Sequence, residues 1–451
     1  MGNWDDPGAA LRYHEATKHS FVSVRASGHR LDWENRPHPF KEYLGLEPEP
    51  IPPELDRLLR VGAGVVRART SPGGDVYHFR AYASAGALYP VEVYPVTAKG
   101  VFHFHPRELA LRRLRSGDFR ASLGEPEAAA VLVLTGILWR TAWKYGERGY
   151  RHLFWDAGTM LANLLALAAD DEPRLVTGFV DDDVNRVVGA DGRREAALAL
   201  LALGGGGATS ESPEPEPLQL DVMPLSRSEP SFPLAEAMHA ASTLADVDEV
   251  ARYRATEAAT EDGVRADVTA GERLEDVIRR RGSARDFLLE PVPSRELAAI
   301  LAAAAAPVPG DVPPVTATYV IANAVAGLDP GVYAFGSPER FDLRRRGTLR
   351  AAAGYLALEQ EHAARAAATH FLLADLPRVV GERGNRGYRW AQLEAGIRAG
   401  RMYLGAYARR LGATGLTFYD DEVARFLTGE TAAQPMLCVA LGPDARASRR
   451  R

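Results

Sequence analysis

Cysteine is almost absent from this 451-residue chain, which has one, Cys438. That excludes an internal disulfide and any metal or iron–sulfur centre built from several thiolates. An excess of positive charge is also missing. The formal net charge is −5, so the basic face typical of nucleic-acid binding is not expected. Arginines gather at Arg344-Arg345-Arg346 and Arg449-Arg450-Arg451, where a solvated turn and a frayed tail are the expected reading. No apolar run reaches the ~18 residues of a membrane span. The stretch Met1 to Pro7 lacks a basic segment leading into an apolar one, so no secretory signal is expected. A cytoplasmic protein with neither nucleic-acid nor membrane partners is the expectation. What the chain does have is core. A hydrophobic content of 46% with 25% charged residues describes a globular protein, and the length suits two domains of about 200 residues.

The chain writes one segment twice. Arg148-Gly149-Tyr150-Arg151 recurs as Arg386-Gly387-Tyr388-Arg389, and Asp156-Ala157-Gly158 recurs as Glu394-Ala395-Gly396. Positions 148, 156 and 158 become 386, 394 and 396, a constant step of 238. Six identities and one Asp/Glu exchange in a single register indicate a duplicated domain. Weaker echoes agree: Gly331 to Phe335 answers Gly100 to Phe104, Phe418 to Val423 answers Phe179 to Val184, and Met436 to Leu441 answers Leu198 to Leu203. Lys144-Tyr145 has no echo, since Glu382-Arg383 stands in its place. The expected organisation is an N-terminal extension (1–50), a first domain (51–204), a linker (205–233) and a second domain (234–451).

Within that frame, Tyr13 to Ser20 is a short helical candidate. Its His14 and His19 are five apart and therefore poor joint metal ligands. Val91 to Val96 and Val101 to His105 alternate with period two, as half-buried strands do. His103 and His105 share one strand face, and a solvent-facing pair is expected there rather than a metal site. Asp156 to Ala169 reads as a buried helix. Asp181-Asp182-Asp183 follows a strand end, where acidic residues favour the first turn of a helix. Gly204 to Gly207 opens a Pro/Glu-rich linker; no Lys-Ser/Thr follows, so it is not read as a phosphate loop. An amphipathic helix is expected over 234–259, and another from Ser294 to Ala306 with Ser as its cap. Mixed helices and mainly antiparallel strands predict an α+β fold.

Arg281-Gly282-Ser283-Ala284-Arg285 puts two guanidiniums and a hydroxyl within five residues, a donor set suited to an anion. Arg281 to Phe287, with the later Leu393-Glu394-Ala395-Gly396, resembles the FMN-dependent nitroreductase family. The first copy is similar to one branch, the SagB-type azoline dehydrogenases, through Tyr13 to Ser20, Ser84 to Pro90, Lys144-Tyr145, Arg148 to Gly158 and Gly178 to Asp181. The resemblance spans nearly all of the chain outside the linker. It implies two nitroreductase-like domains packed as an intramolecular pseudo-dimer, with FMN at their interface. It further implies that Arg281, Ser283 and Arg285 hold the cofactor from one side. Arg80, Ser84, Ala85, Gly86 and Leu88 would hold it from the other, with Gly415, Leu416 and Thr417 nearby.

The copies have lost different parts. Pro307 to Pro314 replaces the Ser84 loop in the second, and only Ser23-Val24-Arg25 stands as an Arg/Ser/Arg remnant in the first. One complete site per chain is therefore expected, built across the halves. Lys144 and Tyr145 match the branch's catalytic pair. The resemblance makes Lys144 the base that removes a carbon-bound proton, helped by a neighbouring cation such as Arg148, and Tyr145 its partner. Three readings stay open: a dehydrogenase acting on azolines in a modified peptide or related small molecule, a general flavin reductase of nitro, quinone or enone compounds, and an inert subunit working with other enzymes of a peptide-modification pathway.

Overall fold

The computed structural model describes residues 2–205, 212–254 and 267–445. Two antiparallel sheets dominate. The first runs in the order Pro48–Glu49, Ala110–Ser116, Gly100–His105, Val91–Thr97, Ala128–Ile137, Glu195–Gly205, Arg174–Val176. The second runs Arg340–Arg346, Gly331–Ser337, Thr316–Ala322, Ala368–Asp375, Ala433–Gly442, Gly412–Leu416. Apart from the short Pro48–Glu49 edge, the orders correspond strand for strand, so the duplication seen in sequence is a duplication of topology. Alternation explains the central strands. In Ala128–Ile137, Leu132 and Leu134 enter one core, while Val131 and Val133 enter another on the opposite face.

Each sheet packs against a long helix, Gly149–Leu167 in the first half and Arg386–Ala408 in the second. These two cross each other at the repeated glycines. A Cβ on Gly158 would lie 2.5 Å from Leu393 O and Ile397 N, and one on Gly396 would lie 2.7 Å from Trp155 O. Only glycine permits so close a crossing. Around it, Arg148 and Arg151 of the first half pair with Asp420 of the second at 2.9 and 2.7 Å. Arg386 and Arg389 of the second pair with Asp181 of the first at 2.6 and 3.0 Å. The same contact made twice with exchanged partners is the mark of a pseudo-twofold interface. Asp181 and Asp420 do begin helices, as the acidic runs suggested, but both are buried and work across the interface.

Several expectations need correction. His103 and His105 are both buried, because the segment carrying Phe40 and Tyr43 covers that sheet face and lays its rings against them. His103 then bonds Glu92 at 2.8 Å. His105 meets Glu42 and Glu108, a cluster in which Arg107 and Arg112 already neutralise both carboxylates. The helix over 234–259 is broken. Pro233–Ala240 and Val247–Arg254 are separate helices, and 255–259 lie outside the described residues. Ser294 opens the helix Ser294–Ala305 but makes no side-chain cap; Pro293 holds the cap position. The segment 212–232 has linker composition and yet docks on the first half, with Met223 N donating to Glu42 O and Leu44 N to Asp221 O.

Candidate functional site

The strand Val76–Arg80 leads into a loop whose backbone is unusual. Gly86, Ala87 and Tyr89 all have positive φ, at 63°, 54° and 49°. Two of these carry a Cβ, a conformation that costs of order 1 kcal/mol or more each and must be held from outside. Asp156 on the long helix holds it. The Ser84 hydroxyl and the Ala85 N–H (3.0 Å) donate to its carboxylate, and Tyr89 N donates to Ser84 Oγ at 2.9 Å. Burial pushes the Asp156 carboxyl up to about 7, against the lowering effect of those two bonds. Its counterpart Glu394 has Arg398 at 2.7 Å, but the position answering Arg398 in the first half is Met160, and Asp156 makes no ion pair among the described residues.

Lys144 and Tyr145 end the helix Leu138–Tyr145 and face this loop. A Cβ on Gly86 would stand 3.2 Å from Lys144 Nζ and 3.1 Å from the Tyr145 hydroxyl. Tyr145 stacks on His152, with centroids 4.0 Å apart and planes 10° from parallel. Burial, then the Arg148 charge, keep His152 neutral by pushing its pKa well down. Burial and the Asp156 carboxylate push the Tyr145 phenol up, so it stays protonated. Lys144 is exposed, yet partial desolvation and then the like charge of Arg285 lower its pKa. The cation acting on Lys144 is therefore Arg285 from the second half. Arg148, expected in that role, is spent on Asp420 and on the Thr17 carbonyl.

From the second half come the anion-type donors. Arg281 is buried and grips the first half, donating to the carbonyls of Ala81 (3.2 Å) and Arg80 (3.4 Å). The Ser283 hydroxyl lies 3.3 Å from the Tyr403 hydroxyl, which also accepts Gly415 N at 2.6 Å. Tyr403 thus ties Ser283 to the Gly415-Leu416-Thr417 segment, while Gln360 donates to Thr417 O and Oγ1. Ser283, Arg285, Gly415, Gly86 and Lys144 are all exposed, a polar mouth assembled from both halves. Leu88 lies beneath it on Trp139 and Trp143. The Arg80 guanidinium is committed to the Pro39 and Val91 carbonyls, so Arg80 meets the mouth through its backbone. The Ser23 hydroxyl accepts from the N–H of Ser20, the cap of its own helix, and Arg25 pairs with Glu359 of the second half; neither builds an Arg/Ser/Arg segment for a second site.

The residues present fit FMN. Exposed Arg285 and Ser283 supply donors for a phosphate and polyol. Gly86 brings its backbone against Lys144 and Tyr145, both of which a Cβ there would crowd. Sequence reasoning missed Tyr403 and His152, whose types and spacing carry no signal. Asp156 was visible only as part of the repeated Asp-Ala-Gly.

Comparison with known proteins bears out the fold. Residues 278–443 match the model of the nitroreductase family. The chain is 32% identical over 185 residues to the nitroreductase-type protein MJ1384 of Methanocaldococcus jannaschii, a match covering 38% of this chain and 90% of that protein. It is 31% identical over 159 residues to the microcin B17-processing protein McbC of Escherichia coli, covering 30% of this chain and 57% of McbC. A crystal structure of a nitroreductase-type protein from Anabaena variabilis superposes with a TM-score of 0.79 at 26% identity, covering 96% of this chain and 99% of that one. The chain belongs to the nitroreductase family, as two such domains joined in one polypeptide and packed as a pseudo-dimer.

Proposed function

We propose that the protein is an FMN-dependent dehydrogenase oxidising azoline-type rings in a modified peptide or related small molecule, at one composite site per chain. The observation that carries this reading is the packing of Lys144 and Tyr145 on Gly86, with Arg285 of the other half depressing the Lys144 pKa. Similarity to McbC, a microcin-processing protein, supports the substrate class and a place among other enzymes of a peptide-modification pathway. Bound FMN supplies the two-electron acceptor for a hydride. Converting an azoline to an azole removes that hydride and a proton from adjacent ring carbons, and the electron pair of the second C–H bond becomes the new double bond. The proton goes to Nζ of neutral Lys144. Tyr145, held protonated and stacked on His152, donates a hydrogen bond to Nζ or to the ring heteroatom and fixes the lysine's direction. Ser283, Arg285 and the Gly415–Thr417 segment anchor the cofactor, and Asp156 keeps the Ser84–Leu88 loop in shape.

The test is flavin content after denaturation, combined with azoline turnover. About one FMN per chain is expected. Lys144→Met is expected to keep its flavin and lose at least ~100-fold in kcat, whereas Arg285→Ala is expected to lose the flavin itself. A Lys144→Met protein oxidising azolines at the wild-type rate overturns the assignment of the base. Undiminished reduction of quinones by that variant, in a protein that never oxidises azolines, favours the general reductase.

A further inference from the structure

The second half has no Ser84-type loop, and what it has instead is not a simple deletion. Pro307 to Pro314 occupies the equivalent place, since Val315 N and Thr316 N donate to Glu394 (2.7 and 3.0 Å) as Ala85 N donates to Asp156. From there the loop crosses to the first half. Leu175 N donates to Pro309 O at 2.8 Å, Asp311 N donates to Leu175 O at 3.2 Å, and Leu175 bridges Gly310. A Cβ on Gly310 would sit 2.7 Å from Leu175 O, so a glycine lets the two backbones meet. The side chain of Asp311 then accepts from Thr177 N (2.9 Å), Thr177 Oγ1 (2.9 Å) and Gly178 N (2.7 Å), with Arg254 Nε at 3.4 Å. It is 6% exposed.

Thr177 answers a residue of the composite site. Val176 stands opposite Leu200 and Leu416 opposite Cys438, and Leu200 and Cys438 are 238 apart. Val176 therefore answers Leu416, and Thr177 answers Thr417. Two successive N–H groups and a hydroxyl aimed at one carboxylate form an anion nest. The space bounded by Thr177, Tyr253, Arg386, Arg389 and Trp390 beside it leaves no room for a water molecule.

We propose that Asp311 is a built-in substitute for a ligand anion: it fills the nest of the second pseudo-symmetric pocket and closes that pocket to a second cofactor. The pocket lost its chemistry but kept its anion-binding backbone, and the chain's own carboxylate satisfies the N–H groups that a bound anion would otherwise meet. This rests on the composite-site reading for the identity of the excluded cofactor. The nest itself does not depend on it.

The experiment compares purified full-length wild type, Asp311→Ala and Asp311→Asn by thermal unfolding with and without sodium formate, alongside flavin content. Asp311→Ala is expected to lower Tm by roughly 3–6 °C, and formate, a free carboxylate, is expected to recover at least half of that loss while leaving wild type unchanged. Asp311→Asn, which keeps the volume but turns an N–H donor toward the nest, is expected to lose Tm without formate recovery. An Asp311→Ala Tm equal to wild type, or a loss that formate does not recover, overturns the proposal. If Asp311→Ala does not fold, the wild-type flavin count and Asp311→Asn decide. Two flavins per wild-type chain, or an Asn variant as stable as wild type, overturn it. A wild type without flavin, combined with formate recovery in the Ala variant, sinks the composite-site reading and leaves the nest standing.

Discussion

Asp156 shows how much a single side chain is asked to do. It is buried, makes no ion pair among the described residues, and still anchors a loop with three positive-φ residues. Its folded pKa of about 7 lies above the ~4 of a free aspartate. The folded state therefore binds the proton more tightly than the unfolded state does. The stabilising contribution is complete below about pH 4 and is lost as pH rises through about 7, at ~1.4 kcal/mol for each pH unit between those two values. The groups facing it, Ser84, Ala85 N, Tyr82, Tyr89 and Tyr145, are all uncharged in that range. Asp156→Asn is thus expected to gain stability relative to wild type on going from pH 5 to pH 8. Tm measured for both proteins at the two pH values checks this, and a gap that does not move with pH counts against it.

At the scale of elements, the crossing of Gly149–Leu167 over Arg386–Ala408 is the least forgiving contact. A methyl at Gly158 meets backbone atoms of the partner helix at 2.5 Å, and backbone cannot rotate aside. Gly158→Ala is expected to destabilise by about 2–4 kcal/mol, read as a shift in denaturant midpoint. Gly381→Ala, which meets nothing within 4 Å, is the matched control and should cost less than about 0.5 kcal/mol. The repeat around Gly158 and Gly396 was legible because duplication leaves a register that needs no structure to see. The strands were legible as strands, but Val91–Thr97 and Gly100–His105, expected to be half-buried, are buried on both faces. Other features were not legible. The His103 and His105 side chains lie under Phe40 and Tyr43, more than fifty residues earlier, and no local pattern reports what covers a strand face. Arg285, rather than Arg148, acts on Lys144 for the same reason, because Arg148 is nearer in sequence but is turned toward Asp420. The segment 212–232 has the composition of a free linker, and only its bonds to the first half, among them Met223 N to Glu42 O and Trp139 Nε1 to Ser226 Oγ, show that it is docked.

At the scale of the whole molecule, the two halves are held by reciprocal buried ion pairs, and their chemistry sets the behaviour in acid. Burial alone would raise the pKa of Asp181 and Asp420. The guanidiniums of Arg386 and Arg389 overcome that and lower the Asp181 pKa, and those of Arg148 and Arg151 hold Asp420 well below the usual carboxylate range. Their contribution is therefore present above about pH 4 and is lost as pH falls through the depressed folded values. Removing one carboxylate leaves two buried guanidiniums without a counter-charge, which costs about 3–5 kcal/mol. Asp181→Ala is accordingly expected to be much less stable than wild type at pH 7. The gap should narrow on descent toward pH 3, because wild type loses there what the variant never had. The composite mouth depends on the same interface, since Arg281 reaches it by gripping the carbonyls of Arg80 and Ala81 in the other half. Loss of bound flavin should track the acid transition in wild type and occur at higher pH in Asp181→Ala. Flavin fluorescence followed along a pH titration checks both, and a stability gap that stays constant from pH 7 to pH 3 would show that these pairs are not what joins the halves.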